Sequence, residues 1–199
     1  EVACTFLDIE DMIALRAGLG AVNEITVFLA AKEEGRYPVL RGLAQGVESF
    51  PEITGHIDTI LDRYGKIKDS ASPELYTIRR TIRDREGQVS KRLQAILSKA
   101  QKDGYADADA AVSIRDGRAV IPVSAANKRK INGFIHDESA TGKTFYIEPV
   151  EIVEINNELK ELEYAERREV VRILTAFTDR IRPDAPGIAR AGEYLACMD

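Results

Sequence analysis

Apolar side chains recur every three or four residues along most of the chain, a period that is typical of helices with one buried face. The pattern covers residues 6–34, continues weakly over 39–46, and returns in a segment that begins at Pro51 and ends before Gly65. Glycine and proline lie between these segments and are expected to end them. The first third of the chain is therefore predicted to be helical.

Two longer helices are predicted, over 73–102 and 150–181, and Pro183 and Pro186 are expected to end the second of them. Ser72 is suited to the N-cap of the first and Pro73 to its first helical position. Each helix would be about 45–48 Å long at 1.5 Å per residue. A coiled-coil-like seam of apolar positions seven apart runs along the first: Leu75, Ile82, Val89 and Ile96. We expect an antiparallel pair in which Leu75, Ile78, Ile82, Leu93 and Ile96 face Ile155, Leu159, Leu162, Val170, Ile173 and Phe177.

Between the two long helices the apolar period shortens to two residues, which predicts strands. The expected strands are 112–115 and 119–123 around an Asp116-Gly117 hairpin turn, then 131–136 and 144–147 around a turn at 139–142. The predicted fold is mainly α with a small inserted antiparallel β unit, in which a long antiparallel helical lever arm is capped by a β clamp. Three regions follow: 1–105 as helical core and outgoing helix, 106–149 as β insertion, and 150–199 as the returning helix.

Composition excludes several classes of protein. Charged residues make up 31% of the chain and the net charge is −5, which argues against a wholly basic nucleic-acid binder. No uninterrupted apolar run approaches the roughly 18 residues of a membrane span, and no basic stretch precedes an apolar core near residue 1. Cys4 and Cys197 lie near opposite ends, a spacing that predicts neither a disulfide scaffold nor a zinc site. A reducing, cytoplasmic location is expected.

Two short motifs suggest chemistry that their surroundings do not support. Gly142-Lys143-Thr144 resembles the end of a phosphate-binding loop, but Asp137 stands where that loop needs glycine and a strand is predicted to follow. We therefore expect no nucleotide site, and no nucleotide hydrolysis, in this chain. The run 136–139 (His-Asp-Glu-Ser) could form an acid/base or metal site, yet neighbouring residues of a strand point to opposite faces. A polar cluster that hydrogen-bonds a hairpin is the favoured interpretation, and no catalytic or metal-binding residue is assigned.

The predicted β unit is locally basic although the whole chain is acidic. Across 112–149 the basic residues are Arg115, Arg118, Lys128, Arg129, Lys130 and Lys143, and the acidic ones are Asp116, Asp137, Glu138 and Glu148. The resulting charge of +2 at the end of a helical pair suits contact with phosphate backbones, which requires cations but no element that distinguishes bases. These six basic residues are the candidate nucleic-acid contacts, and a solvated loop is the alternative.

Several motifs, in order, resemble the middle of the MutS family, specifically its second bacterial subfamily (MutS-II). They are DSASPEL at 69–75, IRDGR at 114–118, IPV at 121–123, GFIHDESATG at 133–142, FYIEP at 145–149 and NNEL at 156–159. The resemblance is dense over 69–181 and weaker over 5–64. Ala119 and Lys143 depart from it, since larger and smaller residues respectively are common there. In that family this region is the helical core and lever, with a clamp inserted at the lever tip.

The resemblance implies a fragment of an ATP-hydrolysing, DNA-binding protein that has ATPase and nuclease domains outside this chain, and the region 150–199 would include the start of the connection toward the ATPase domain. Its ATP and Mg²⁺ would bind there, so no cofactor is expected in this chain and no catalytic residue is carried over. The implied whole protein is a homodimer that holds branched or structured DNA without sequence specificity, couples this grip to its ATPase state, and limits recombination. Some members of the subfamily are implicated in the rescue of collided ribosomes.

Two interpretations stay open at this point. In the first, the chain is a non-catalytic lever and clamp that holds DNA or ribosomal RNA. In the second, it is a protein-interaction or dimerisation module that grips a ribosomal or protein partner. A basic tip serves either purpose, because it can meet the phosphates of nucleic acid or an acidic protein. The sequence distinguishes neither the physiological ligand nor the oligomeric state of this chain.

Overall fold

Two long helices flank a small sheet in the computed structural model of this chain, which describes residues 6–33 and 35–198. Across those residues the elements are α1 (Ile9–Ala30), α2 (Pro38–Leu43), α3 (Pro51–Ile60), α4 (Pro73–Lys102), β1 (Ser113–Arg115), β2 (Arg118–Ser124), β3 (Gly133–Glu138), β4 (Thr144–Pro149), α5 (Val150–Ile181) and α6 (Ala185–Met198). The predicted fold class, mainly α with an inserted antiparallel β unit, is confirmed, and the bounds of α4 and α5 match those predicted.

Side-chain caps determine where two of these helices begin. The backbone N–H of Asp11 donates to Asp8 Oδ1 at 2.8 Å, and the Asp8 N–H donates back to Asp11 Oδ2 at 3.2 Å, a capping box at the start of α1. At α4 the N–H of Leu75 donates to Ser72 Oγ at 2.9 Å. The Ser72 hydroxyl in turn donates to Glu169 Oε1 of α5 at 2.5 Å, so this cap is also a tertiary contact.

Helix α6 corrects one expectation. Pro183 and Pro186 are expected from the sequence to end the helical region, but only the first of them separates two helices. Pro183 lies in a short 3₁₀ turn after α5, whereas Pro186 is the second residue of α6. An N–H in the first turn of a helix has no intrahelical partner, so proline costs little there.

Helix α1 is long and apolar enough to cross a membrane by length and composition, although the sequence holds no uninterrupted apolar run of that length. In the structure Met12, Leu19 and Val22 of this helix are buried and contribute to a hydrophobic core. Of the two cysteines, Cys197 is exposed and Cys4 lies outside the described residues.

The chain divides into two compact units. The first comprises the residues up to Tyr76 together with those from Arg168 onward, and the second comprises Thr77–Arg167. The core of the first unit is formed by α1, α3 and the C-terminal part of α5. Its largest fully buried side chains are Met12, Ile57, Leu61, Leu75 and Phe177.

The core of the second unit lies between the sheet and the parts of α4 and α5 that belong to this unit. Helix α4 contributes Val89, Leu93, Leu97 and Ala100, the sheet contributes Ala119, Ile121, Val123 and Ile147, and α5 contributes Ile152 and Ile155. Leu97 is fully buried, whereas its neighbour Ile96 on the predicted seam is half-buried. Close to the sheet the buried apolar seam of α4 therefore shifts from Ile96 to Leu97, because α4 turns its apolar face toward strands as well as toward α5.

Within the second unit, α4 and α5 run antiparallel as predicted. Residue numbers rise along α4 as they fall along α5 in three polar contacts between them. These are Arg79 Nε to Glu166 Oε1 at 2.7 Å, Arg85 Nε to Glu158 Oε2 at 2.9 Å, and Arg92 Nη1 to the Glu151 carbonyl at 3.4 Å.

The sheet has the strand order β1-β2-β4-β3 and is antiparallel throughout. Asp116 and Gly117 both have positive φ, as a tight hairpin turn between β1 and β2 requires, so the predicted turn is confirmed. Pro122 is tolerated inside β2 because β1 pairs only as far as Val120, so no strand pairs with Pro122 on that side. A bulge at His136 interrupts the pairing of β3 with β4, which the sequence did not predict.

Leu97→Ala should lower the free energy of unfolding by about 2–5 kcal/mol, because a fully buried side chain is lost from a packed core. Ile135→Ala in the same unit should cost less than about 1 kcal/mol, since Ile135 is 51% exposed. Urea unfolding followed by circular dichroism measures both. Equal losses for the two variants would contradict the described core.

Candidate nucleic-acid interface

A buried carboxylate, that of Glu148 on β4, organises one face of the sheet. Its side chain is almost fully buried, with 1% of the residue exposed. Arg118 Nη1 donates to Oε1 at 2.8 Å, and Asn156 Nδ2 donates to the same oxygen at 2.7 Å. His136 Nε2 lies 2.6 Å from the other oxygen, Oε2. The four side chains join β2, β3 and α5 to β4.

The environment of Glu148 favours the charged form. Burial raises the pKa of this carboxyl, but hydrogen bonds from Asn156, Arg118 and His136 outweigh burial and hold the pKa below its ordinary value. The ionised carboxylate holds the Arg118 guanidinium, which also donates from Nη2 to Asn157 Oδ1 at 2.8 Å. Both terminal nitrogens of Arg118 therefore have partners within the protein.

Arg115, the second arginine of the β1–β2 hairpin, is also engaged. Its Nε lies 3.0 Å from Asp137 Oδ2 on β3. The guanidinium carbon lies 4.0 Å from the centroid of the Tyr146 ring on β4, within the range of a cation–π contact. The side chain thus extends from the edge strand β1 to β4 and β3, and it is half-buried.

The other four candidates lie where β2 ends and β4 begins, and we call Lys128, Arg129, Lys130 and Lys143 the end patch. Lys143 precedes β4, and its carbonyl accepts a hydrogen bond from Ala125 N at 2.8 Å. Ala125 opens the connection from β2 to β3, which carries the other three cations. Lys128 Nζ lies 4.2 Å from the centroid of the Phe145 ring. Among the described residues, no ion pair neutralises any of the four side chains.

The structure does not bring the six candidate residues into one cluster. Arg118 is the first residue of β2, and the end patch adjoins its last residue, Ser124. These ends are about 20 Å apart at roughly 3.3 Å per residue. Arg115 and Arg118 have partners inside the sheet, whereas the end patch is available to a ligand. Contact of any of the six with nucleic acid stays a prediction.

A cleft of about 360 Å³ beside the end patch adds a residue that the sequence analysis did not identify. Lys99, near the C-terminus of α4, lines this cleft together with Lys130. A sequence signal for Lys99 existed, because α4 was predicted to end at 102, directly before the β unit. Lys99 lies in the last turn of that helix, outside the segment 112–149 in which basic residues are in excess.

The two weak motifs have structural explanations. After Gly142-Lys143, Thr144 begins a strand, as predicted, and the Gly142 N–H donates to the Ser139 carbonyl at 2.7 Å in a turn. His136 contacts Glu148, and Asp137 pairs with Arg115. Within residues 6–33 and 35–198, no group of three or more His, Cys, Asp or Glu side chains is placed to hold a metal ion.

Comparison with known proteins identifies relatives over nearly the whole chain. The chain is 35% identical over 193 residues to a Streptococcus thermophilus protein named endonuclease MutS2, an alignment that covers 97% of this chain and 24% of the relative. A protein of the same name from Pelotomaculum thermopropionicum is 35% identical over 97% of the chain. Another, from Thermomicrobium roseum, is 37% identical over 82% of the chain. These two alignments cover 24% and 20% of the relatives. No family model matches the chain.

The resemblance inferred from the sequence motifs is therefore confirmed. The chain spans about a quarter of the length of the curated relatives it matches, as a MutS-family fragment does. The alignments run over both compact units and include all six candidate cations in those that cover 97% of the chain.

Arg118→Met should lower the free energy of unfolding by about 1.5–3 kcal/mol, because it leaves the buried Glu148 charge without its arginine. Arg115→Met should cost about 1 kcal/mol or less, since the Arg115–Asp137 pair is partly exposed. Urea unfolding compares the two variants. An Arg118→Met protein as stable as the unaltered chain would contradict a structural role for Arg118.

Acid should weaken the sheet unit through Glu148. Its pKa is lower in the folded chain than in the unfolded one, so its contribution to stability is present above the unfolded pKa and lost as the pH falls through the folded pKa. Glu148→Gln should be less stable than the unaltered chain at pH 7, and the difference should shrink toward pH 3. Unfolding free energies across this range test the prediction, and a constant difference would contradict it.

Proposed function

We propose, from the premise that this chain is a segment of the MutS2 family, that it serves as a non-catalytic part that holds nucleic acid without sequence specificity. The end patch is the observation that supports this proposal. Four cations lie at one end of the sheet with no ion-pair partner among the described residues, on a chain whose net charge is −5. Such a local excess of positive charge favours contact with phosphates.

Arg115 and Arg118 contact other side chains of this chain, which narrows the proposed phosphate contacts to the end patch. Both lie in the segment with the excess of basic residues, yet their guanidinium groups contact Asp137, Tyr146 and Glu148. We therefore assign phosphate contact to the end patch and a structural role to the two arginines. Contacts of lysine and arginine with phosphates position a protein on nucleic acid but carry no sequence information.

In the whole protein, we propose that α4 and α5 couple this grip to ATP and Mg²⁺ bound outside the segment. The relatives are named endonucleases, and the resemblance implies a cytoplasmic homodimer that limits recombination. Coupling of this kind is reciprocal: if ATP binding changes the affinity for DNA, DNA changes the affinity for ATP by the same factor. Branched DNA is the first ligand to test, and ribosomal RNA is the second.

A second candidate function is the binding of a protein partner, such as a ribosomal protein or a second protomer. One observation favours it. Strand β3 lies at an edge of the sheet, and Phe134 and Ile135 on it are 59% and 51% exposed. An edge strand with exposed apolar side chains can pair with a strand of another chain. This function would not depend on the cations of the end patch.

Replacing the four end-patch residues by glutamine should weaken binding to duplex DNA, branched DNA and structured RNA alike. Binding releases fewer counterions when a phosphate contact is missing. The slope of log affinity against log salt should therefore fall by about one unit for each contact removed. Fluorescence anisotropy with labelled ligands over a salt series measures affinity and slope together.

The matched control replaces Arg80, Lys91 and Arg168, three exposed cations of α4 and α5, by glutamine. This variant removes a similar charge away from the end patch and should retain affinity and slope. If the end-patch variant binds all three ligands as the unaltered protein does, the nucleic-acid proposal is wrong. Loss of binding to a protein partner in Phe134→Ser, with nucleic-acid binding intact, would support the second candidate instead.

A further inference from the structure

The cleft beside the end patch has walls of several chemical kinds. Ile96 and Ile131 contribute apolar surface, and both pack against the core of the second unit. Tyr105 contributes an aromatic side chain and Asn132 a side-chain amide. The backbone holds Tyr105 in place, because its N–H donates to the Ala100 carbonyl at 2.8 Å and its carbonyl accepts from Ser124 N at 2.9 Å.

Charged side chains also line this cleft. Lys99 of α4 and Lys130 of the end patch are exposed, as are the carboxylates Asp103 and Glu151. The cleft therefore carries both charge signs next to apolar and aromatic surface. A volume of about 360 Å³ lies near the lower end of the roughly 300–1,000 Å³ found for small-molecule sites. It has room for one small planar group and its polar substituents.

This set of side chains fits one nucleotide. Proteins that bind single-stranded nucleic acid combine cations for the backbone with aromatic side chains for the bases. Amide and carboxylate groups accept hydrogen bonds from base edges, and a carboxylate accepts from the amino group of cytosine. Lys130 belongs both to the cleft and to the end patch, so a strand held by the patch would pass the mouth of the cleft.

We propose that this cleft binds a single unpaired nucleotide of the nucleic acid that the end patch holds. The base lies against Tyr105, and the phosphate lies near Lys99 and Lys130. This inference rests on the proposed function and adds to it a preference for a duplex with an unpaired base over a fully paired one. Asp103 and Glu151 only accept hydrogen bonds when ionised, and the one free donor of thymine, N3–H, lies between two carbonyl oxygens that repel a carboxylate, so the cleft prefers bases with an amino group to thymine.

The test compares four short duplexes of equal sequence: fully paired, with a bulged cytosine, with a bulged thymine, and with an abasic bulge. The abasic bulge bends the duplex but offers no base, so it separates recognition of the base from recognition of the bend. Anisotropy titrations at one salt concentration should show about tenfold tighter binding of the cytosine bulge than of the abasic one, the usual size of a base–aromatic stacking contribution. The thymine bulge should fall between them.

Three variants assign the effect to the cleft. Tyr105→Ala should bring the affinity ratio of cytosine to abasic bulge close to one, and Tyr105→Phe should keep it, because a phenyl ring still stacks. Since Tyr105→Ala also removes packing against the core, Lys99→Gln provides a variant at an exposed position and should weaken binding of the cytosine bulge severalfold. Circular dichroism melting checks that each variant is folded.

The outcomes separate this inference from the proposed function. If the unaltered protein binds all four duplexes equally, and the end-patch variant loses them all, the cleft has no role and the proposed function stands. A ratio that Tyr105→Ala leaves unchanged, with Lys99→Gln binding the cytosine bulge as tightly as the unaltered protein does, places the nucleotide elsewhere and overturns the inference. If no duplex binds at any salt concentration, the inference fails, and the proposed function fails with it if branched DNA and structured RNA are not bound either.

Discussion

The sheet of the second unit depends on one buried charge, the carboxylate of Glu148. A carboxylate out of contact with water is costly unless its charge and lone pairs are matched, and here Arg118, Asn156 and His136 supply the partners. Each partner comes from a different element, so the sheet, its bulged edge strand and the returning helix must be in register for the charge to be tolerated. Breaking one contact would leave the others with an unmatched group.

This constraint also decides which cations are available to a ligand. A guanidinium that neutralises a buried carboxylate cannot leave it for a phosphate without exposing the protein to the cost of an unmatched charge. Arg118 is bound in this way, and Arg115 is held by Asp137 and Tyr146. Among the described residues, the cations of the end patch at the other end of β2 have no ion-pair partner, and Lys128 lies over the Phe145 ring. We therefore assign the proposed ligand binding of the β unit to that end.

A similar device appears where α4 begins. The Ser72 hydroxyl caps the helix by accepting a hydrogen bond from the Leu75 N–H, and it donates a hydrogen bond to one carboxylate oxygen of Glu169. Glu169 is buried, and its other oxygen accepts a hydrogen bond from Arg172. Hydrogen bonds from Arg172 lower the pKa of Glu169 despite its burial, which raises it, so this carboxylate too is charged at neutral pH. A local capping signal and a tertiary contact thus coincide at one hydroxyl. The start of α4 is specified by both.

The sequence by itself determined the elements whose causes are local. The period of apolar residues, the Ser72 cap and the Asp116-Gly117 turn predicted the long helices and the hairpin, because each acts within a few residues of the chain. Several motifs that stand in order also established the resemblance to the MutS family. Helix α6 was missed, because proline in a first turn looks in a sequence like proline that ends a helix.

The separation of Arg115 and Arg118 from the end patch, and the cleft that joins Lys99 to Lys130, were decided only by the tertiary structure. Charges that lie together along the chain lie apart once strands extend them, and residues of α4 and of the β2–β3 connection meet only when both have packed on one core.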